Sequence, residues 1–592
     1  MQVSDYIAKF LKESGVKKIF AVTGGASLHL IHSAQKQKGL QLIFPISEQT
    51  CAMAAEMHYR VSGNIGAAFA TSGPGVTNLA TGICGAFFDS VPCLYITGQV
   101  STTRSNKGTG VRQIGFQETN SVEMYKKVTK YSAKVDKAED IKFHLEKALH
   151  LAKSGRMGPV LVDVPDDIQR KIIDPKKLKS YVKKRNIIKT NQLSTTKKKI
   201  DQMFEMISRS ERPIIIIGWG IHLSNSYKEI DRFIKKTKIP VVSTWAVAHA
   251  LDYSDPFNVG TWGTHGTRYA NYAVQNSDLI LSIGSRLDTK ATGSPITTFA
   301  RSAKKIIIDI DKSEILKFKK FGLKIDLSIN QDCKKFLRNS FKAKWISKKN
   351  KFERWRNQIL YWKKNYPICL PKYYKENEVN PYVFIGQISN ELKKDDIICV
   401  DTGCTVAWTM QAFKFKKGQK LFHDFNNTAM GWSIPAAISA SILSKKKRII
   451  VLVGDGSLSV MLHEFSLIKK LNLPINVFLL NNSGQSMIRQ TQDQWLSSNY
   501  FGSSYQGGLA KIDFLKVINA FGINTSQIRY NNEIPKGIKK CLRNRQSFCE
   551  IVINKNKRVT PLVKFGRPNE DQEPLLPINE YYKNMIIKPI KR

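Results

Sequence analysis

The sequence is short of the features that mark several protein classes. Its nine cysteines, at positions 51, 84, 93, 333, 369, 399, 404, 541 and 549, form no CxxC pair. That argues against a zinc ribbon or a disulfide scaffold. No run approaches 18 uncharged apolar residues, so no membrane span is expected. The opening stretch, Met1 to Phe20, carries charges throughout and reads as an amphipathic helix, not a secretory leader. Acidic residues are scarce, with 47 Asp and Glu against 93 Lys and Arg, a net charge of +46. Such an excess raises nucleic acid or an anionic membrane as a partner. The basic residues are scattered, however, as in Lys17-Lys18, Lys176-Lys177 and Lys445-Lys446-Lys447. With no RNA-binding signature they read as a solvated surface, and neither nucleic acid nor membrane is expected. A reduced, cytoplasmic protein fits these absences.

What is present is α/β patterning. Apolar runs of strand length alternate with helical periods, which predicts doubly wound parallel sheets. Expected strands include 18–22, 66–70, 93–97, 160–164, 213–218, 279–284, 305–309, 397–401, 448–453 and 475–480. A chain of 592 residues is too long for one core. Two charge-rich stretches, 166–199 and 341–380, read as connections, partly helical. The predicted domains are 1–170, 190–345 and 375–565, followed by a tail, 566–592.

The segment 451–482 is the most specific. An apolar strand runs into Gly454-Asp455-Gly456-Ser457 and a helix start, and a second strand ends at Asn481-Asn482. Both side chains then lie at carboxyl ends of strands, where ligands collect in open parallel sheets. Mg²⁺ takes hard oxygen ligands and often binds through one or two side chains plus phosphate oxygens. Asp455 and Asn482 suit it, while a helix start and close-approaching glycines suit the phosphates. His463-Glu464 is no zinc-protease motif, because position 467 is Leu.

Many ordered pieces point the same way. They are Thr23-Gly24-Gly25-Ala26, Glu48, Ser72-Gly73-Pro74-Gly75, Asp89-Ser90-Val91-Pro92, Ile96 through Val100, Phe116-Gln117-Glu118, Gly263 through Val274, Ile308 through Asp311, Ala429-Met430-Gly431, and the Asp455/Asn482 pair. Together the chain resembles, over nearly its full length, the acetolactate synthase branch of the thiamine-diphosphate enzymes. The resemblance implies a pyrimidine-binding domain, a central nucleotide-type domain and a diphosphate-binding domain. It also implies a homodimer or homotetramer with the site between subunits; the sequence leaves open a regulatory small subunit and a place in branched-chain amino acid biosynthesis. Pyruvate, or a similar 2-oxo acid, would be decarboxylated on the cofactor and its two-carbon unit joined to a second 2-oxo acid.

By the same resemblance, Glu48 would contact N1′ of the aminopyrimidine as a buried carboxyl group and help draw off the thiazolium proton. Gly24 and Gly25 would help bind the cofactor, with Met430 wedged beneath it. Gly403, Cys404, Thr405, Gly456 and Ser457 would hold the diphosphate. Asp455, Asn482 and the carbonyl of Gly484 would hold Mg²⁺, and Gln117 and Met487 would face the reacting carbons. The central domain opens on Gly218-Trp219-Gly220, a weak Rossmann-like turn. Thr244, Thr264, His265, Gly266, Gly284, Arg286, Asp288, Asp309 and Asp332 match positions where the family binds a structural FAD.

Departures from the family pattern fall on the acceptor side. Asp166-Asp167 replaces Lys-Asp, reversing a charge. Lys290 replaces the arginine that clamps the acceptor's carboxylate and lacks its bidentate fork. Ser486 through Thr491 loses an aromatic wall. The loop before Phe116 is about six residues longer and carries Arg104, Lys107 and Arg112. A different acceptor, such as a keto sugar, and simple decarboxylation are therefore alternatives to a second 2-oxo acid.

Overall fold

The computed structural model describes residues 1–182, 190–345, 350–444 and 447–592. It contains three six-stranded parallel sheets. The first is built from β1 (Lys18–Ala21), β2 (Gln41–Ile43), β3 (Gly66–Ala70), β4 (Cys93–Gln99), β5 (Tyr131–Lys134) and β6 (Val160–Pro165). The second uses β7 (Pro213–Ile217), β8 (Val241–Ser243), β9 (Asn258–Thr261), β10 (Leu279–Ile283), β11 (Lys304–Asp309) and β12 (Leu327–Asn330). The third uses β13 (Ile397–Val400), β14 (Lys420–Phe422), β15 (Ile449–Gly454), β16 (Ile475–Asn481), β17 (Thr525–Ile528) and β18 (Ser547–Val552). Central strands such as Pro213–Ile217 are buried along their whole length, as expected where helices cover both faces of a parallel sheet.

The strand orders are β2-β1-β3-β4-β6-β5, β12-β11-β10-β7-β8-β9 and β14-β13-β15-β16-β18-β17. In each sheet the chain leaves its first strand to one side and returns on the other. The return opens a crevice at the carboxyl ends of β1/β3, β7/β10 and β13/β15. These switch points are where open α/β sheets bind ligands, and many of the expected site residues lie at them.

The first and third sheets meet through two helices, Glu48–Ser62 and Ser433–Leu443. The former starts at Ser47, whose side chain accepts from Gln49 N, and stops at Gly63 with φ +72°. Within it, Glu56 and Arg60 are completely buried. Arg60 pairs with Glu56 and with Asp89 and donates to His423 O at 3.0 Å. Its guanidinium also stands 5.1–5.2 Å from the Trp219 and Trp432 ring centres. One arginine thus ties all three sheets together, and leaving its partners uncompensated would cost about 3–5 kcal/mol.

The second connection expected from sequence is more than a connection. Helix Glu353–Asn365 buries Trp355, Ile359 and Trp362 against the middle unit, because these fall at i, i+4 and i+7 on one face. The segment 566–592 also returns to the middle unit. Glu570 accepts from Arg301 at 2.6 Å, and Asn276 donates to Asn584 O at 3.0 Å. Gln572 donates to Gly266 O at 2.9 Å. Of the first connection, residues 183–189 lie outside the described residues, and a helix spans Thr190–Arg209. Among the described residues no helix is long and apolar enough to cross a membrane.

Candidate active site

The third sheet's switch point assembles the densest group of expected residues. β13 ends in a turn at Gly403, whose φ of +81° favours glycine, and the helix Cys404–Ala412 starts there, so Cys404 and Thr405 stand in its first turn. β15 ends at Gly454, and Asp455, Gly456 and Ser457 begin the next helix. Asn482 follows β16, beside it. Gly484 N donates to Asp455 Oδ2 at 2.6 Å, while Gly484 O accepts from Ser486 N at 3.1 Å. Burial pushes the Asp455 carboxyl up to about 6. Asn482 Oδ1 is buried and has no hydrogen-bond partner among the described residues. No cluster of three or more His, Cys, Asp or Glu able to hold a metal occurs among them. The Asp455 carboxylate and the unpartnered Asn482 oxygen suit a cation that completes its shell with phosphate oxygens.

Asp401, at the end of β13, was not singled out by sequence. It is buried and accepts from Gly431 N (3.1 Å), Ser433 N (2.9 Å) and Ser433 Oγ (2.6 Å). It thereby fixes the turn carrying Met430, which is 40% exposed. Arg489, inside the departing stretch Ser486 through Thr491, is buried and donates to Asn482 O at 2.7 Å.

At the first sheet's switch point lie Gly24, Gly25 and the turn Thr71 through Gly75. A side chain at Gly24 would meet Thr71 at 2.5 Å, and one at Gly73 would meet Gln117 at 2.8 Å. Gln117 itself has φ +63°. Glu48 occupies the first turn of its helix, and Asn78 Nδ2 donates to its Oε2 at 3.1 Å. Glu48 is half-buried in the single chain. Gly75 and Asn78 lie against its carboxylate, and its neighbours Phe44 and Ile46 are exposed. No hydrogen bond joins Glu48 to Asp455 or Asn482 among the described residues. The link is indirect, because Ile46 N and Ser47 N donate to Glu464 at 3.1 and 3.2 Å. Met487 is half-buried in the helix after Asn482.

The middle sheet's switch point opens into a cavity of about 400 Å³. Gly218, Trp219 and Gly220 follow β7 and Gly284 follows β10, so closely that a side chain at Gly220 would lie 2.8 Å from Gly284 Cα. Thr244, His265, Arg286, Asp288, Asp309 and Asp332 also line it. Three of these carry buried polar atoms without a partner among the described residues: Thr244 Oγ1, His265 Nδ1 and Arg286 Nε. Burial raises Asp309 to about 6 and lowers His265 to about 3. Such a cavity, with unanswered donors and acceptors, fits a dinucleotide. Thr264 stands off its wall, since its N–H donates to Lys290 O (2.9 Å) and its C=O accepts from Val563 N (2.8 Å).

The departures take on different meanings in three dimensions. Asp166 and Asp167 do not stand as free charges facing a substrate. Asp166 accepts from Ser101 Oγ, and Asp167 accepts from Thr102 N at 2.9 Å and Thr102 Oγ1 at 2.6 Å. They anchor the lengthened loop, which Glu118 closes by accepting from Asn106 N, Ile114 N and Gly115 N. Lys290 lines the middle cavity, with Nζ 4.6 Å from the Trp245 ring centre.

Comparison with known proteins agrees with this layout. Residues 1–124 match the thiamine pyrophosphate enzyme N-terminal TPP binding domain, 200–339 the central domain, and 401–552 the C-terminal TPP binding domain. Acetolactate synthase 2, chloroplastic, of Nicotiana tabacum is 32% identical over 96% of this chain and 84% of its own length. The Arabidopsis thaliana acetolactate synthase is 33% identical over 95% and 83%. The acetolactate synthase large subunit of Cyanidium caldarium is 31% identical over 94% and 93%. Sheet order, switch-point residues and end-to-end similarity converge: the chain belongs to the thiamine pyrophosphate enzyme family, on its acetolactate synthase branch.

Proposed function

We propose that this chain is a thiamine-diphosphate-dependent carboligase of the acetolactate synthase type, decarboxylating pyruvate or a similar 2-oxo acid and joining the remainder to a second one. The observation that carries the reading is the Asp455/Asn482 pair at a helix-lined switch point, with an acceptor oxygen left unanswered. Asp455, Asn482 and Gly484 O would hold Mg²⁺, and Gly403, Cys404, Thr405, Gly456 and Ser457 would hold the diphosphate. When bound, thiamine diphosphate supplies a carbon nucleophile and an electron sink for loss of CO₂. Glu48 holds one proton at the pyrimidine N1′, and Asn78, donating to Oε2, keeps that carboxyl oriented. Met430, whose turn Asp401 holds, would pack against the bound cofactor, while Gln117 and Met487 would help orient the substrate and exclude water.

Two copies complete the site. In support, Phe44 and Ile46 near Glu48, Phe116 beside Gln117, and Met430 itself expose apolar side chains, Phe116 to 85%. Apolar exposure at these positions suits an association surface.

FAD is the group we assign to the middle cavity, supported by the switch-point glycines and the unpartnered atoms of Thr244, His265 and Arg286. Arg286→Ala is expected to lower retained flavin about tenfold, the scale of one charge-assisted hydrogen bond, as read by visible absorption after gel filtration.

The activity is tested with labelled pyruvate, with and without an added 2-oxo acid. The expected product carries the labelled two-carbon unit joined to a second 2-oxo acid, with release of CO₂. Free acetaldehyde as the only product would refute carboligation.

A further inference from the structure

Arg489 is a charge out of place. It lies in the helix Ser486–Trp495, is 2% exposed, and makes no ion pair among the described residues. Its neighbour Arg558 has a carboxylate, Asp493, at 2.8 Å. Arg489 has only the carbonyl of Asn482, to which Nη2 donates at 2.7 Å, and its Nε is buried without a partner among the described residues. A guanidinium buried in this way is costly unless an anion answers it.

A second observation says which anion. The residue whose carbonyl anchors Arg489 is Asn482, and that residue's own side-chain oxygen is also buried and unpartnered. An orphaned donor and an orphaned acceptor therefore stand on adjoining residues, with Asp455 near enough to act on the guanidinium's charge. The donor needs an anion and the acceptors need a cation. A metal–diphosphate answers both.

We propose that Arg489 is a cofactor-binding residue whose guanidinium pairs with the diphosphate oxygens at the Asp455/Asn482 site. This rests on the functional reading above and adds to it a fixed positive charge contributed by the chain itself. Arginine suits the role because its planar fork can keep one N–H on the carbonyl while others meet phosphate oxygens. The arrangement has a further consequence. A fixed cation beside the metal position repels Mg²⁺ alone and favours it only together with the anion.

The test is calorimetric titration of the full-length chain, stripped of cofactor, with three probes: thiamine diphosphate plus Mg²⁺, inorganic pyrophosphate in chelator, and Mg²⁺ alone. Arg489→Met is expected to weaken thiamine diphosphate and pyrophosphate at least about tenfold, leaving Mg²⁺ alone bound no more weakly than in wild type. Should that variant fail to fold, Arg489→Gln, which can still donate to Asn482 O, carries the same measurement. Unchanged binding of both anions overturns the proposal, and so does equal weakening of all three probes, which would make Arg489 only a structural support. If wild type itself binds no thiamine diphosphate, the functional reading falls and this inference with it. If wild type binds and the variant matches it, this inference alone falls.

Discussion

Glu48→Gln lowers turnover of pyruvate by about 10²–10⁴-fold, the usual reach of general acid–base catalysis, while thiamine diphosphate still binds. Glutamine keeps the length of the side chain and can still accept from Asn78, so the helix start at Ser47 is undisturbed. What it cannot do is take up or release a proton. The effect should therefore appear in kcat, with the cofactor activation constant changed only a few-fold. Steady-state kinetics alongside a cofactor titration separate the two, and near-normal turnover would remove Glu48 from the mechanism.

Asp455→Ala should show the converse pattern. The carboxylate is held by Gly484 N in a buried turn and is the one anionic group of the proposed metal set. Losing such a ligand is worth about 1.5–3 kcal/mol, so Mg²⁺-dependent retention of cofactor should fall about ten- to hundredfold. Activity should return in part at saturating metal and cofactor, which Glu48→Gln would not show. Equilibrium dialysis with Mg²⁺ varied at fixed thiamine diphosphate checks this, and unchanged retention would refute the metal assignment.

The contrast between these residues shows what a linear sequence can carry. Asp455 and Asn482 were legible because both end apolar strands, and such strands announce themselves by composition. All ten strands expected from apolar runs are present. Those passed over include every edge strand, such as β2 and β14, each of three residues. An edge strand is covered less completely, so it needs no long apolar run to hold its place. Glu48 was found through family resemblance, and its half-open setting depends on what covers it, which no local pattern records. Asp401 and Arg489 were overlooked because their importance lies in partners 30 and 7 residues away along a folded path. The Glu56/Arg60 pair did leave a trace, two charges at i and i+4 just after the apolar run of Cys51 through Ala55. They answer each other in part, and partners outside the helix do the rest: Asp89 and His423 O meet Arg60, and Trp432 Nε1 donates to Glu56 at 3.0 Å. Asp166 and Asp167 teach the opposite caution. A reversed charge in a motif looked like altered substrate preference, and its carboxylates hold a loop.

The return of residues 566–592 to the middle unit bears on how this protein is made. Arg301 and Gln275 take their carboxylate partner from Glu570, and Trp362 finds its acceptor at Asn584. During translation the middle sheet emerges long before these partners exist, so that unit must wait, unfinished, while the third sheet is synthesised. A ribosome that stalls short of residue 570 would release a chain with buried donors unmet far upstream of the break, a natural target for chaperones and proteases.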